Sequence, residues 1–256
     1  MTNDFSTIRN GLRILVRGTR AVWCVLACLA EYCARAITGR LDPVQRAAVL
    51  QKWSARLLAG IKVSISVDGP VPEHGLIVSN HLSYLDILVF SVICGCVFVA
   101  KREIKSWPGV GWVASLAGTI YVDRARRTDT HSIQPEMQSA LSRGLCLVLF
   151  PEGTSSNGSS VLRFHSSLFQ PALDLSAHIT AAAIDYRILP GDAGTEACYW
   201  GDMTLLPHVL NILTKDSIEA GVKFSAEHLQ FTNRKRAAAT MQLKVESLRE
   251  VSAEAH

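Results

Sequence analysis

Residues 80–86 read Asn-His-Leu-Ser-Tyr-Leu-Asp and place a histidine five positions before an aspartate. They follow a short predicted strand and open a predicted helix, a position where α/β folds commonly carry functional loops. If the helix begins near Ser83, Asp86 lies in its first turn and His81 just before it. The carboxylate can then hold one imidazole nitrogen and leave the other as a general base. The alternatives are a capping box formed by Ser83 and Asp86, and a buried histidine that donates to a backbone carbonyl.

No serine nucleophile accompanies this pair, because the Gly-x-Ser-x-Gly pattern is absent from the sequence. The serines in residues 153–158 do not match it. A general base without a nucleophile of its own predicts a substrate that brings the reacting hydroxyl group.

A second chemical segment, residues 146–156, reads Cys-Leu-Val-Leu-Phe-Pro-Glu-Gly-Thr-Ser-Ser. It predicts a buried strand that runs into a tight turn, since Pro151 fixes its own φ and Gly153 permits a close backbone approach. Glu152 is then presented at the carboxyl end of the strand, with Thr154 and backbone N–H groups beside it. The alternative for Glu152 is a solvated turn acid.

A third segment, residues 118–124, predicts a strand that ends in Arg124. Arginine suits bidentate contact with phosphate, although a lone surface arginine is usually only solvated. Upstream, residues 101–111 add Lys101, Lys105 and a Trp-Pro turn.

Together these segments resemble the glycerolipid acyltransferase family, whose best-known members are the lysophosphatidate acyltransferases. Residues 80–86 are similar to the family's His-x4-Asp block, and residues 118–124 are similar to its second block. Residues 150–156 are similar to its third block, Phe-Pro-Glu-Gly-Thr. The fourth block, residues 179–186, departs from the family at Ala181, where proline is usual.

The resemblance implies transfer of a fatty acyl group from acyl-CoA or acyl carrier protein to the free hydroxyl of a lysolipid, with no cofactor and no metal. His81 would remove the hydroxyl proton while Asp86 orients the ring. The implied acceptor-binding residues are Arg124, Glu152, Gly153 and Thr154, and the implied loop-shaping residues are Asn80, Ser83, Lys101 and Gly118.

The resemblance makes lysophosphatidate, which gives phosphatidate, the first expectation for the acceptor. Lyso-ornithine lipid is the alternative, because residues 166–169 and 199–203 are similar to enzymes that acylate it. A lipid hydrolase and a catalytically silent lipid-binding protein are further alternatives, and the intact set of His81, Asp86 and Glu152 argues against the second.

The elements that must position these residues alternate between short apolar runs and helical patterns, which predicts an α/β fold with a mixed sheet flanked by helices. The resemblance implies a fold like that of glycerol-3-phosphate acyltransferases. We predict a membrane-binding helix in residues 1–40 and a catalytic domain in residues 41–256. Predicted strands cover residues 61–67, 75–79, 97–100, 119–122, 146–150 and 179–184, and predicted helices cover residues 6–37, 43–58, 83–93, 132–143, 166–175 and 234–255.

The predicted helix over residues 6–37 is the membrane-associating element. Arg9, Arg13, Arg17 and Arg20 recur along one face, and residues 21–30 are apolar all round but too short to span a bilayer. The pattern favours a helix at the membrane surface whose arginines face anionic headgroups. A cleaved secretory signal and a buried core helix are the alternatives.

Composition supports a membrane surface as partner, since the 256-residue chain is 48% hydrophobic, 19% charged and has a mean hydropathy of +0.20. The first 60 residues carry a net charge of +6 and the remainder carries −2. Because no basic stripe crosses the body of the chain, we exclude a nucleic-acid partner. Seven cysteines without a metal-binding spacing predict reduced, buried thiols. We therefore expect an enzyme at the cytoplasmic face of the cell membrane.

Overall fold

Seven strands form one mixed sheet in a computed structural model that describes residues 2–106, 110–122 and 133–254. Their order across the sheet is β1-β7-β6-β2-β5-β3-β4. The strands from β6 to β4 in that order are parallel, whereas β7 runs antiparallel to β6 and parallel to β1. The predicted mixed α/β sheet is confirmed. The strands are β1 (Val63–Asp68), β2 (Gly75–Ser79), β3 (Cys96–Lys101), β4 (Ile120–Val122), β5 (Cys146–Leu149), β6 (Ile179–Arg187) and β7 (Ile218–Leu229).

Helices cover both faces of this sheet. The described helices are α1 (Thr2–Ile37), α2 (Pro43–Gly60), α3 (Leu85–Ile93), α4 (Val110–Leu116), α5 (Gln134–Ser142), α6 (Gln170–Asp174), α7 (Ala193–Glu196), α8 (Leu205–Thr214) and α9 (Arg234–Glu254), with 3-10 turns at Arg102–Ser106 and Ser166–Phe169. The helix predicted over residues 166–175 is therefore one of these turns followed by α6.

The long strand β7 and the helix α8 were not among the predicted elements. In β7, buried Ile218, Ala220, Val222 and Phe224 alternate with more exposed residues. This period of two is the signal of a strand with one face in the core, so the sequence carried the information for β7.

The two faces of the sheet contribute to separate apolar clusters because neighbouring strand residues point in opposite directions. On β2, Ile77 packs into a cluster with α1, α2 and α3, while Leu76 and Val78 pack into a cluster with α5 and α9. All residues of β2 and β5 are buried, as expected for parallel strands covered on both sides.

Arg13 and Arg17 of the N-terminal helix α1 point inward, which corrects for these two the prediction that the arginines face lipid headgroups, while Arg9 and Arg20 are exposed. Arg13 donates to Thr214 O at 2.9 Å and pairs with Asp216, and the buried Arg17 donates to Leu213 O at 3.1 Å. These acceptors lie at or just beyond the end of α8, where helix carbonyls have no partners within the helix and the dipole favours cations. The hydrogen bonds of Arg13 and Arg17 therefore hold α1 against the end of α8.

The opposite face of α1 is apolar and exposed. None of the helices in the described residues is both long and apolar enough to cross a membrane. Toward its C-terminal end, α1 also buries Cys24, Cys28 and Tyr32 in the core cluster beside α2. The exposed apolar residues of α1 include Ile8, Leu12, Leu15, Val16, Val22, Trp23 and Leu26.

Candidate active site

Three segments with polar side chains meet at the edge of the sheet where β2, β5 and β6 end. β2 lies between β5 and β6 and is parallel to both, so the residues that follow these strands come out on the same edge. We call residues 80–84 the histidine loop and residues 150–158 the glutamate loop. The end of β6 completes the site with Asp185 and Tyr186.

His81 and Asp86 form a hydrogen-bonded pair, as their spacing predicts. His81 Nδ1 lies 2.7 Å from Asp86 Oδ2, and the Asp86 side chain is fully buried. Because a carboxylate only accepts, Nδ1 carries the proton and Nε2 keeps its lone pair. Nε2 has no hydrogen-bond partner among the described residues, and 21% of the His81 side chain is exposed. The pair therefore presents one basic nitrogen at the surface of the site.

Asp86 is held by three further donors. The backbone N–H groups of Leu82 and Ser83 donate to Oδ2 at 2.7 and 3.1 Å, and the hydroxyl of Tyr186 donates to Oδ1 at 2.7 Å. A buried carboxylate with this many donors is held in one orientation.

The capping box that was the alternative interpretation of Ser83 and Asp86 forms only in part. Asp86 reaches back to the Ser83 N–H, but α3 begins at Leu85, and the buried hydroxyl of Ser83 has no partner among the described residues. The histidine loop folds over the Asp86 carboxylate because its backbone N–H groups donate to that carboxylate. Ser83 therefore does not take the N-cap position. Ser83 nevertheless lies in the loop that it was predicted to shape.

Asn80 fixes the start of the histidine loop. Its side-chain amide donates to Ile184 O and accepts from Ile184 N, both at 2.9 Å, in the manner of a backbone pairing between β2 and β6. The side chain is 1% exposed. Asn80 thus continues the sheet for one more residue at the point where His81 leaves it.

Glu152 is buried beside the histidine. Its side chain is 3% exposed, Oε1 accepts from Leu162 N at 3.2 Å, and Oε2 has no partner in the described chain. Burial raises the pKa of Glu152 to about 8, against the opposing effects of the Leu162 and His81 backbone N–H groups and of Arg249. Burial therefore favours the protonated form of the carboxyl group, and Oε2 is left as an unused hydrogen-bonding oxygen in the described chain.

The glutamate loop is tied to the histidine loop through its backbone. Gly153 turns the chain with φ of +75°, a conformation that glycine adopts without strain. Beyond it, Ser156 N donates to His81 O at 3.0 Å. The ring of Phe150 stacks on the His81 imidazole with centroids 4.3 Å apart. Thr154 lies in this loop and is exposed.

Of the other predicted site residues, Lys101 and Gly118 lie in the described part of the chain. Lys101 ends β3, next to β5 at the same edge of the sheet. Gly118 precedes β4 with φ of +86° and lies near Arg46. Arg124 and the Trp-Pro turn at residues 107–108 lie outside the described residues. In the described chain, no cluster of His, Cys, Asp or Glu is arranged to hold a metal ion.

Comparison with known proteins identifies the family of the chain. Residues 61–185 match the family model described as Acyltransferase. The lyso-ornithine lipid O-acyltransferase of Pseudomonas aeruginosa is 32% identical over 79% of this chain and 80% of its own. The chain belongs to the acyltransferase family.

The names of other relatives of this acyltransferase give two different acceptors. The 1-acyl-sn-glycerol-3-phosphate acyltransferase of Neisseria meningitidis is 34% identical over 65% of this chain and 69% of its own. The lyso-ornithine lipid O-acyltransferase of Rhizobium meliloti is 34% identical over 71% and 67%. The crystal structure of the 1-acyl-sn-glycerophosphate acyltransferase from Thermotoga maritima shares the fold, with a TM-score of 0.70 at 21% identity over 97% of this chain and 98% of that one.

Sequence reasoning missed three side chains that hold the acyltransferase site together. Tyr186 was part of the fourth block, but no role was predicted for its hydroxyl. Arg249 of α9 donates to Asp185 Oδ1 at 2.9 Å and also to Gly158 O in the glutamate loop. Burial raises the pKa of Asp185, and the guanidinium of Arg249 counters this effect. No local sequence pattern predicts a hydrogen bond between residues that are 64 positions apart.

The histidine loop has a second support in α8. His208 Nε2 donates to Cys198 O at 3.1 Å, which leaves Nδ1 to accept from the hydroxyl of Tyr84 at 3.1 Å. Burial lowers the pKa of His208, which favours this neutral form. A buried polar contact thus connects α8 to the loop that carries His81.

Proposed function

We propose that this acyltransferase moves a fatty acyl group from a thioester donor, acyl-CoA or acyl carrier protein, to the free hydroxyl of a lysolipid. The observation that carries the proposal is the His81–Asp86 pair, with its Nδ1–Oδ2 distance of 2.7 Å and its unpartnered Nε2. A base of this kind needs a hydroxyl to deprotonate, and the chain supplies no serine nucleophile in the pattern of a hydrolase.

In the proposed reaction, Nε2 of His81 accepts the proton as the lipid hydroxyl attacks the thioester carbonyl. The buried carboxylate of Asp86 stabilises the imidazolium that forms, and Tyr186 keeps that carboxylate in place. When the tetrahedral intermediate collapses, the carbon–sulfur bond breaks and the imidazolium returns the proton to the departing thiolate. General-base help of this kind contributes roughly 10²–10⁴-fold, and positioning of the substrates supplies the rest.

We propose that Glu152 binds the headgroup of the acceptor, together with Gly153 and Thr154 and with Arg124 as a phosphate ligand. Oε2 of Glu152 is buried and has no partner in the described chain, and a buried oxygen left without a partner destabilises a site until a ligand reaches it. In its protonated form the group donates to a ligand oxygen, and in its charged form it receives a hydroxyl or an ammonium group.

Lysophosphatidate is our first proposal for the acceptor, with phosphatidate as product. It is supported by the names of relatives such as the Neisseria meningitidis enzyme. One observation favours lyso-ornithine lipid as a second candidate. Lysophosphatidate offers Glu152 only its reacting hydroxyl and an anionic phosphate, whereas an ornithine headgroup brings an ammonium group whose charge would favour the carboxylate form of the buried Glu152 and pair with it.

We also propose that the enzyme works at the cytoplasmic membrane surface, with the exposed apolar face of α1 in contact with lipid. Leu12 and Leu15 are 61% and 66% exposed on this face. Both substrates are amphiphiles, and extracting an acyl chain into water costs about 0.8 kcal/mol per CH₂. An enzyme that meets its acceptor at the headgroup level avoids this cost.

The test is a thioester-release assay with purified enzyme in detergent, with lysophosphatidate, lyso-ornithine lipid or no acceptor. Acceptor-dependent release with formation of the acylated lipid is the expected result, and the better of the two substrates identifies the headgroup. Release without any acceptor would instead identify a hydrolase. No release under any condition would identify a lipid-binding protein.

A further inference from the structure

A cavity of about 580 Å³ opens between the chain that follows the glutamate loop and the N-terminal half of α9. Its α9 wall is formed by one face of the helix, since the residues there are spaced by three and four. One wall includes Arg163, His165 and Ser166, and the other includes Lys235, Ala239 and Gln242.

The walls of the cavity are fixed by the same contacts that hold the glutamate loop. Leu162, whose N–H binds Glu152 Oε1, directly precedes Arg163. His165 N donates to Pro151 O at 2.9 Å, and Phe164 N donates to Gln242 Oε1 at 3.1 Å. The cavity is therefore bounded by a segment that is hydrogen-bonded both to the glutamate loop and to α9.

The charge of the cavity suits an anion. Arg163 and Lys235 are the charged residues among those that line it, and neither forms an ion pair with an acidic residue in the described chain. Both side chains are exposed, so each is available to pair with an anion that enters the cavity. The amino-terminal end of α9 adds positive partial charge of the helix dipole. Ser166 supplies a further hydroxyl donor at the rim.

The position of the cavity shows which of two anionic substrates, lysophosphatidate or CoA, it suits. In lysophosphatidate the phosphate is only a few bonds from the reacting hydroxyl, so it must lie next to His81. In the described chain, no residue that lines the cavity hydrogen-bonds to His81 or Asp86. In CoA a long pantetheine arm separates the phosphates from the thioester, so its phosphates must bind away from the reacting atoms.

The side of the sheet on which the cavity lies also favours CoA as the ligand. Phe164 and Ala238 at the cavity belong to the apolar cluster on the α9 side, whereas α1 packs on the opposite face of the sheet. If α1 contacts the membrane, the cavity opens on the side away from the bilayer. A ligand that reaches it comes from water, as CoA does.

We infer that this cavity is the subsite for the phosphates of CoA, held by Arg163 and Lys235. The inference rests on the proposed acyl transfer and deepens it, because it makes CoA the donor and gives the nucleotide end of the donor a place. An acyl carrier protein presents its prosthetic arm from a protein surface and would not need this cavity.

The test replaces Arg163→Ala and Lys235→Ala separately and measures initial rates with both substrates and calorimetric binding of free CoA. Each variant should raise KM for acyl-CoA by at least about tenfold, the effect of losing a charge-assisted hydrogen bond. It should leave kcat and KM for the lysolipid unchanged and weaken binding of free CoA to the same degree. Ala239→Phe, which fills the cavity without changing its charge, should do the same.

The matched controls are Arg234→Ala and Arg236→Ala, which remove the same charge from the same helical turn but do not line the cavity. Equal effects in the controls, unchanged CoA binding in Arg163→Ala, or a rise in KM for the lysolipid alone would overturn the subsite. Wild-type enzyme that uses acyl carrier protein and not acyl-CoA would overturn it and leave the proposed function standing. CoA binding that depends on Arg163 without any acyl transfer would support the subsite and reject the function.

Discussion

At the scale of single residues, the imidazole of His81 is fixed on two sides. Asp86 holds Nδ1, and the ring of Phe150 stacks against one face of the imidazole. Asp86 is fixed in turn by backbone N–H groups and by Tyr186. A base that is aimed before the substrate arrives loses little entropy on the way to the transition state. Three predictions at this scale concern His81, Tyr186 and Glu152.

His81→Ala should lower kcat by at least about 10²-fold, because the general base is gone. Binding to lipid vesicles should stay unchanged, since His81 lies away from the exposed face of α1. The measurement is acyl transfer under saturating substrates, with vesicle sedimentation in parallel. The exposed His178 serves as control, and His178→Ala should keep full activity. A His81→Ala enzyme with the wild-type rate would end the general-base proposal.

Tyr186→Phe should lower kcat by roughly tenfold with little change in KM, because the hydroxyl bonded to Asp86 acts through the carboxylate. With one donor fewer, Asp86 attracts the imidazolium more strongly, and the acidic limb of the pH–rate profile should move to higher pH. Tyr32→Phe is the control, since its buried hydroxyl bonds to Arg46 O away from the site. A drop in kcat without movement of the profile would mean that Tyr186 has only a structural role.

Glu152→Gln should change the pH dependence of stability. Burial raises the pKa of Glu152 to about 8 from its ordinary 4.5, so between these values the folded chain keeps a proton that the unfolded chain releases. Stability therefore falls as the pH rises through this window. At pH 9 the glutamine variant should be more stable than wild type by roughly 4–5 kcal/mol, and at pH 4 the two should be nearly equal.

Urea unfolding at the two pH values measures this difference, with the exposed Glu136→Gln as control. An equal effect of Glu152→Gln at both pH values would show that the carboxyl group keeps one protonation state across the window.

At the scale of elements, α1 and α8 act as one unit. Arg13 and Arg17 bind the carbonyls at the end of α8, and His208 of α8 binds Tyr84 in the histidine loop. The helix that we propose to contact lipid is thus connected through α8 to the loop that carries the general base. The exposed apolar face of α1 and the exposed Leu206 of α8 belong to this unit.

The double variant Leu12→Asp, Leu15→Asp should weaken binding to anionic vesicles by at least about tenfold, because two apolar side chains no longer enter the interface. Vesicle sedimentation measures the partition, and activity on a detergent-dispersed acceptor should persist. Leu243→Asp on α9 is the control, since Leu243 is 66% exposed on the other side of the sheet. Equal loss in the control, or undiminished binding of the double variant, would place the membrane contact elsewhere.

At the scale of the whole molecule, α1 is packed into the same core as the sheet. Tyr32 is fully buried, and Cys24 and Cys28 are 6% and 3% exposed in the cluster that includes α2 and α3. Removal of residues 1–37 would expose this core and would also remove the proposed membrane contact. Point variants on the outer face of α1 therefore test membrane binding more cleanly than a deletion.

Tyr32→Ala should lower the free energy of unfolding by about 3 kcal/mol, the usual cost of removing a large buried aromatic side chain. Because α1 shares the main core, fluorescence and circular dichroism should report the same shifted transition. An unshifted midpoint, or a separate early transition for α1, would instead make the helix an independent appendage.

The sequence by itself determined what depends on near neighbours. His81 and Asp86 are five positions apart, so the turn that begins α3 brings them together. The turn around Glu152 follows in the same way from Pro151 and Gly153. The short apolar runs predicted most of the strands for the same local reason, and the alternation in β7 would have predicted that strand too.

Tertiary structure decided what depends on distant segments. Tyr186 reaches Asp86 across 100 positions and Arg249 reaches Asp185 across 64, and no local period encodes such contacts. The same holds for α1, because the spacing of its arginines predicted a basic face but not which part of the molecule that face contacts. The carbonyls at the end of α8 have no partners within that helix, and they accept from the guanidinium groups of Arg13 and Arg17.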